Sequence, residues 1–287
     1  PDGAVANRRT TDAKADLNRD HLLLAQPETQ AFYRVVRRVM PHLAIDCHEF
    51  TRDAEDYVRA GADHVRRAWE RWPIITMDAC NHPLIPSSLK EAGLQLVESA
   101  GPVMEKAGHR YARYMVGGPA PEEELRPSAP DADDARNSLG SHGALSFIIE
   151  AGVRRSAADP QADLAERVDA YLGLFKHLLG TPESRARILE LSEKARREPL
   201  PPFIATNTLW ANLGGKVASV KMSHPASNQV LDIPTANLML DLVVKYSVPT
   251  PSAYVIPASA AKSFRPLLKH HGLAFRELQS PETLKAE

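Results

Sequence analysis

Three short segments of the chain carry side chains that could do chemistry: residues 16–21, 46–50 and 146–152. In the first segment, Asn18 and Arg19 follow a polar, turn-rich stretch that opens the chain. An amide beside a guanidinium can hold a carboxylate, the guanidinium through two parallel hydrogen bonds. A solvated loop with an ordinary surface arginine accounts for the same two residues. The pair alone therefore does not define a site.

His48 stands at the end of a short run in which Leu43, Ile45 and Cys47 recur at every second position. This alternation predicts a strand that ends near His48. A neutral imidazole is the commonest protein ligand of zinc. Asp46 lies two residues earlier, hence on the same face of the strand, where its carboxylate could orient the ring. A structural histidine held by hydrogen bonds is the alternative interpretation.

Glu150 closes a compact, mostly apolar run over residues 145–149. Such a run is typical of a strand that is buried on both faces of an α/β sheet. A carboxylate in this position is partly removed from water, which suits the work of a general base. A salt bridge from Glu150 to Arg154 or Arg155 is the alternative interpretation.

The apolar spacing also predicts the elements that would position these residues. Helical spacing covers residues 28–40, 54–71, 87–108, 160–179 and 182–197, and residues 43–47 and 145–150 are typical of strands. Residues 117–137 are rich in proline and acidic side chains and nearly free of large apolar ones, which predicts a long surface loop. From residue 199 the composition turns towards strands, including one over residues 253–256. We expect an α/β fold with a small α/β appendage at residues 199–287.

The whole chain has the composition of an ordinary globular protein, with 287 residues of which 43% are hydrophobic and 25% charged. A net charge of -1 gives no basic excess, so we expect no nucleic-acid partner. Its apolar runs are too short to cross a bilayer. The chain begins with Pro1 and shows no charged-then-apolar leader, so targeting information is expected upstream. The compartment is left open, with a slight lean towards secretion or the periplasm.

Taken together and in this order, the segments resemble those of the zinc metallocarboxypeptidase family, the carboxypeptidase A type. Residues 1–3 are similar to the family's Asn-Pro-Asp-Gly turn without its asparagine, and residues 16–19 are similar to the segment with its carboxylate-binding Asn-Arg pair. Residues 46–48 resemble the strand that carries the third zinc ligand, and residues 147–150 the strand that carries the catalytic glutamate. The resemblance covers about residues 1–180. It implies an α/β fold with a mixed central sheet flanked by helices.

The resemblance makes His48 a zinc ligand and Glu150 the general base that takes a proton from a zinc-activated water. The family's other two ligands come from a His-x-x-Glu motif upstream of its Asn-Pro-Asp-Gly turn. The chain begins inside that turn, so we expect an N-terminally truncated sequence whose two further ligands for one zinc ion lie before residue 1. Because catalytic zinc generally needs three protein ligands, the chain by itself is expected to be inactive.

The resemblance also implies a set of substrate-binding residues. Asn18 and Arg19 would hold the terminal carboxylate of the substrate. Arg9 would stabilise the tetrahedral oxyanion, with Arg8 as the alternative because the alignment at this point is loose. The family's substrate-capping tyrosine is not identifiable, and Tyr114 lies too far upstream in the chain for it.

The sequence therefore favours a zinc-dependent carboxypeptidase that hydrolyses peptide bonds near a free C-terminus. Residues 1–198 would form the partial catalytic domain and residues 199–287 an accessory domain. A zinc-dependent deacylase of small N-acyl amino acids, similar to desuccinylases and aspartoacylases, would use the same ligands, but the pair of Asn18 and Arg19 favours peptides. A non-catalytic pseudopeptidase that binds peptide ends is a third hypothesis. Glu150 argues against it, because a binding protein has little use for a base.

Overall fold

The computed structural model describes residues 8–52, 70–117, 124–215, 217–223, 227, 229–235 and 237–278. The chain divides into two compact units, Pro1–Met40 with Pro251–Glu287 and Pro41–Thr250. The predicted helix over residues 54–71 lies outside the described residues, except that residues 70 and 71 form a short strand. The predicted division into a catalytic domain (residues 1–198) and an accessory domain (residues 199–287) is a division by function. The two packing units do not test it, and it stays a prediction.

Helices and strands alternate along the middle of the chain. The helices are α1 (Pro27–Val39), α2 (Ser87–Lys106), α3 (Ala135–Ser141), α4 (Pro160–Leu179), α5 (Pro182–Ala195) and α6 (Ala258–His271). The strands are β1 (Leu43–Thr51), β2 (Glu70–Arg71), β3 (Ile75–Ala79), β4 (Tyr111–Arg113), β5 (Val116–Gly117), β6 (Leu125–Arg126), β7 (Leu145–Val153), β8 (Phe203–Ala211), β9 (Ala218–Ser223), β10 (Val230–Thr235) and β11 (Asp241–Pro249). The helices predicted over residues 28–40, 87–108, 160–179 and 182–197 are confirmed to within two residues at each end. A membrane span would need a longer and more apolar helix than any in the described residues.

In the first unit, α1 and α6 pack against each other. The ring of Tyr33, buried on α1, lies 5.6 Å from the ring of His271 at the end of α6. The guanidinium of Arg37 donates to the carbonyl of Lys269 at 2.6 Å, which satisfies one of the last carbonyls of α6. Gly272 then ends α6 in the left-handed conformation at a φ of 70°, which glycine adopts without steric cost.

The second unit is built around a four-stranded mixed sheet with the order β1-β7-β3-β4. β1 runs parallel to β7, β3 runs antiparallel to β7, and β4 runs parallel to β3. Helices flank this sheet, so the predicted α/β class with a mixed central sheet is confirmed.

One face of the sheet forms the main hydrophobic core with α2, α4 and α5. The core contains Ile75, Met77, Leu145, Phe147 and Ile149 from the sheet, with Leu89, Val97, Ala100, Met104, Ala170, Leu174, Leu178, Ile188 and Ala195 from the helices. Helix α4 begins where predicted because the Asp159 carboxylate accepts hydrogen bonds from the backbone N–H groups of Gln161 and Ala162. Periodicity and capping therefore agree in placing α4 against the sheet.

The remaining strands form small sheets. β10 and β2 both pair with β9, β8 pairs with β11, and β5 pairs with β6. The strand predicted over residues 253–256 is wrong, because these residues have no regular structure and directly precede α6. Tyr254 is 78% exposed and Val255 is 66% exposed, so their apolar side chains pack against no neighbouring face.

The surface loop predicted over residues 117–137 is also wrong in part. Strand β6 lies inside it and buries Leu125, and α3 begins at Ala135. Arg136 and Asn137 are almost completely buried although both are polar. The loop was predicted because the segment has few large apolar side chains. Hydrogen bonds hold its buried residues in the interior instead.

A close approach between α2 and β3 makes Gly93 a sensitive position. A Cβ atom at Gly93 would lie 2.7 Å from the Cβ of Ala79, which is fixed to the strand backbone and cannot turn away. We expect Gly93→Ala to lower the free energy of unfolding by about 1–3 kcal/mol in urea denaturation. Gly101→Ala is the matched control in the same helix, because its nearest neighbour is a ring atom of Tyr111 at 3.8 Å. A Gly93 variant as stable as the Gly101 variant would contradict the packing of α2 on β3.

Candidate functional site

The sheet brings a row of polar side chains onto the face opposite the hydrophobic core. His48 on β1 is the direct partner of Glu150 on β7, and Glu150 is in turn the partner of Thr76 on β3. Directly opposed residues of neighbouring strands point to the same face of a sheet. The intervening positions, such as Ile149 and Met77, belong to the core. The structure therefore brings the two main predicted site residues, His48 and Glu150, side by side.

The sequence predicted that the two strands end at His48 and Glu150, but in the structure both strands continue. β1 continues past His48 to Thr51 and β7 continues past Glu150 to Val153, because the two strands remain paired up to their last residues. His48 and Glu150 thus lie within strands rather than at strand ends. Such positions hold a side chain more firmly than a loop does.

Asp46 holds the ring of His48 in the predicted manner. The distance from Nε2 of His48 to Oδ2 of Asp46 is 2.9 Å. The side chains are 24% and 20% exposed, so the pair is neither fully buried nor freely solvated. From the core side, the hydroxyl of Tyr171 on α4 contacts the backbone carbonyl oxygens of His48 and Ile149. The backbone that carries the imidazole is therefore tied to a helix.

Tyr114 directly follows β4, which lies on the far side of β3 from β7. Its backbone N–H donates to the carbonyl of Met77 at 3.0 Å, which extends the pairing of β4 with β3 by one residue. Burial first, and then the negative charge of Glu150, raise the pKa of Tyr114 to about 12, while the positive charges of Arg136 and Arg71 oppose this rise. The phenol stays protonated at neutral pH and is therefore a hydrogen-bond donor.

A buried cluster of charges lies next to this row. We call Asp78, Arg113 and Arg136 the buried triad, after the completely buried Asp78 and Arg136; the side chain of Arg113 is 31% exposed. The fully buried Asp78 accepts a hydrogen bond from Nε of Arg113 at 2.9 Å, and Nη1 of Arg136 lies 3.9 Å from its other oxygen. Burial raises the pKa of Asp78, and the two guanidinium groups act against that rise. Within the described residues, Nε and Nη1 of Arg136 have no hydrogen-bond partner, so this side of the guanidinium is held by charge.

Asn137 is a clamp between two loops beside the buried triad. Its Oδ1 accepts from the backbone N–H groups of Asn81 at 2.8 Å and His82 at 3.1 Å. Its Nδ2 donates to the carbonyls of Ala129 at 3.3 Å and Asp131 at 2.9 Å. Both donors and the acceptor of the amide are used, which explains how a polar side chain can be fully buried here.

Tyr114, Asp78 and Arg136, which lie on or beside β3 and β4 or in α3, are not among the predicted site residues. Asp78 did carry a usable signal, because it interrupts an apolar run at residues 74–79 much as Glu150 closes its own run. Tyr114 follows a strand of three residues, which is too short for periodicity to detect. Arg136 falls in the segment that was interpreted as a loop.

The predicted substrate-binding residues lie in the other unit. Nε of Arg9 donates to the carboxylate of Asp16 at 2.7 Å, and Arg8 forms an ion pair within the same loop. A guanidinium N–H of Arg19 donates to the backbone carbonyl of Asn18, at the end of a short 3₁₀ helix. The three arginines are exposed, and exposed ion pairs contribute little stability, so these side chains can exchange partners readily. Their roles in substrate binding stay predictions.

The fit of this site to a zinc ion is partial. His48 offers one imidazole, held by Asp46 as a metal-binding histidine commonly is. In the part of the chain that the structure describes, no group of three or more histidine, cysteine, aspartate or glutamate side chains could hold a metal ion. The described donors therefore fit one ligand of a zinc site and not a complete one.

Comparison with known proteins gives a distant likeness to carboxypeptidases. The chain is 30% identical over 159 residues to Carboxypeptidase 2 of Trichophyton tonsurans and 28% identical over 158 residues to Carboxypeptidase 2 of Trichophyton rubrum. Each match covers 52% of this chain but 27% of the relative, so the likeness spans about a quarter of the relatives' length. No protein-family model and no solved structure matches the chain. The likeness supports a carboxypeptidase-like family.

Loss of the Asn137 clamp should destabilise the loops beside the site. Asn137→Ala would remove four hydrogen bonds, including those that satisfy the backbone N–H groups of Asn81 and His82, so we expect the free energy of unfolding to fall by about 3 kcal/mol in urea denaturation. Asn207→Ala, at an exposed position of β8, is the matched control and should be close to neutral. A loss of under about 1 kcal/mol in the Asn137 variant would show that the clamp is not structural.

Proposed function

We propose that this chain is part of a peptidase that removes residues from the C-termini of peptides. The observation that carries the proposal is the direct pairing of His48 with Glu150 on the polar face of the sheet. An imidazole that can bind a metal and a carboxylate that can accept a proton, one strand apart, are suited to the activation of water for amide hydrolysis. The distant likeness to proteins named Carboxypeptidase 2 supports the same class of substrate.

In the proposed reaction, Glu150 is the general base. It is only partly buried, so water can reach its carboxylate. The carboxylate takes a proton from the attacking water and then delivers it to the leaving amine. Thr76 Oγ1 lies 3.3 Å from the backbone carbonyl of Glu150 and helps to hold β7 in place. Asp46 fixes the orientation of the His48 ring.

The proposal includes one zinc ion, with His48 as a ligand and two further ligands upstream of residue 1. A bound zinc ion would polarise both water and the scissile carbonyl. Asn18 and Arg19 would bind the terminal carboxylate of the peptide, and Arg9 or Arg8 would stabilise the oxyanion. Because arginine binds a carboxylate through two parallel hydrogen bonds, this assignment requires a substrate with a free C-terminus.

The metal role of His48 is tested by metal content. In a full-length protein that contains this chain, His48→Ala removes one ligand, so we expect zinc occupancy after dialysis to fall about tenfold or more, measured by atomic absorption. His270→Ala, in the other unit, is the control and should keep its zinc. Unchanged metal content in the His48 variant would remove this residue from the metal site.

The role of Glu150 is tested by a nearly isosteric change. Glu150→Gln cannot accept a proton, so we expect kcat for peptides to fall by about a thousandfold while zinc content is unchanged. Glu105→Gln, at an exposed position of α2, is the matched control and should leave kcat unchanged. A Glu150 variant within threefold of the wild-type rate would reject this residue as the base. Hydrolysis of N-acyl amino acids but not of peptides by the wild-type protein would favour a deacylase instead.

A further inference from the structure

Arg113 is the member of the buried triad that solvent can reach. Its side chain is 31% exposed, whereas those of Asp78 and Arg136 are almost completely buried. Arg136 also has a second carboxylate partner, because Oδ2 of Asp134 lies 3.4 Å from its Nη2. Among the described residues, Asp78 is the one carboxylate that pairs with Arg113. A negatively charged ligand would therefore meet Arg113 rather than Arg136.

The guanidinium of Arg113 is fixed through one of its three nitrogens. Its Nε donates to Oδ1 of Asp78 at 2.9 Å. In the part of the chain that the structure describes, this is the only hydrogen bond of the Arg113 side chain, so Nη1 and Nη2 are left for another partner. These two nitrogens form one edge of the planar group, and such an edge matches the two oxygens of a carboxylate. Asp78 thus fixes the guanidinium and leaves that edge open.

This guanidinium lies on the same face of the sheet as Glu150. Asp78 stands two residues after Thr76 on β3, so both side chains point to one face. Thr76 is the direct partner of Glu150 on β7. Asp78 is the partner of Ile148, which precedes Glu150 by two residues. From the strand spacing and the rise per residue, the Cα atoms of Asp78 and Glu150 are about 8 Å apart. Arg113 reaches this face through its bond to Asp78.

The environment of Arg113 prepares it to bind an anion. A side chain that is already held loses less conformational entropy when a ligand binds. The carboxylate of Asp78 also faces Nη1 of Arg136 at 3.9 Å, so its single negative charge is divided between two cations. Arg113 therefore keeps part of its positive charge for a ligand.

We infer that Arg113 binds the acidic side chain of a peptide substrate, so that the peptidase prefers glutamate or aspartate as the residue that it removes. This inference rests on the proposed function, because it places the scissile bond beside Glu150. The terminal carboxylate of the peptide lies directly next to that bond and is assigned to Asn18 and Arg19. A side-chain carboxylate extends further from the bond, which suits the separation of Arg113 from Glu150.

The test measures peptide binding in a full-length protein that contains this chain, with Glu150→Gln to prevent turnover. The probes are two N-acetylated peptides that differ only in ending in glutamate or in glutamine, and their dissociation constants are measured by calorimetry. Arg113→Lys keeps a positive charge beside Asp78, so the buried carboxylate keeps its partner and the protein stays folded. Lysine has one charged nitrogen, which Asp78 would occupy. We expect Kd for the glutamate peptide to rise about tenfold and Kd for the glutamine peptide to stay within about twofold.

Arg187→Lys is the matched control for this variant. Arg187 is exposed on α5, which packs on the core face of the sheet, so both dissociation constants should be unchanged. An equal rise for both peptides would overturn the inference in favour of the terminal carboxylate. Unchanged constants in the Arg113 variant would also overturn it, while the proposed function stands. If neither peptide binds, or if Glu150→Gln retains the wild-type rate, the proposed function fails and this inference fails with it.

Discussion

The parallel pairing of β1 with β7 is the constraint on which the rest of the structure depends. Its register opposes His48 to Glu150, and the alternation of each strand then assigns one face to the core and the other to polar side chains. A slip of one residue would turn every side chain of a strand to the opposite face. Phe147 and Ile149 would then leave a core in which both are completely buried, so packing protects the register. The stability of the core and the geometry of the polar row therefore have the same origin.

The buried triad shows a different balance of forces. Asp78 lies in the interior with two guanidinium groups, and removal of a charged group from water is costly unless its partners are close. A buried ion pair is weak evidence of stability, since apolar residues of the same size often pack as well. The triad instead lies next to the polar row, since Asp78 stands two residues from Thr76 on β3 and therefore on the same face of the sheet. Asn137 adds to this by holding the neighbouring loops through four hydrogen bonds.

The proposed peptidase activity draws on residues with different degrees of fixation. His48 and Glu150 lie within paired strands, which holds their backbones firmly. Arg9 and Arg19 are exposed and bonded to groups of their own loop. Such local bonds are easily exchanged for bonds to a ligand.

The sequence by itself determined most of the helices and the strands around His48 and Glu150. Apolar periodicity indicates which face of an element is buried, and a cap such as Asp159 indicates where a helix begins. Both signals are local in the sequence. The two-residue spacing likewise predicted that Asp46 would lie beside His48.

Only the tertiary structure decided which residues meet across strands. His48, Glu150 and Thr76 form one row because β1 pairs with β7 and β7 with β3, and no local pattern records such a chain of pairings. The burial of Arg136 and Asn137 was missed for a related reason. The Asn137 amide accepts from the backbone N–H groups of Asn81 and His82, and Arg136 donates to the side-chain oxygen of Asn81, so these partners come from a segment far away in the sequence.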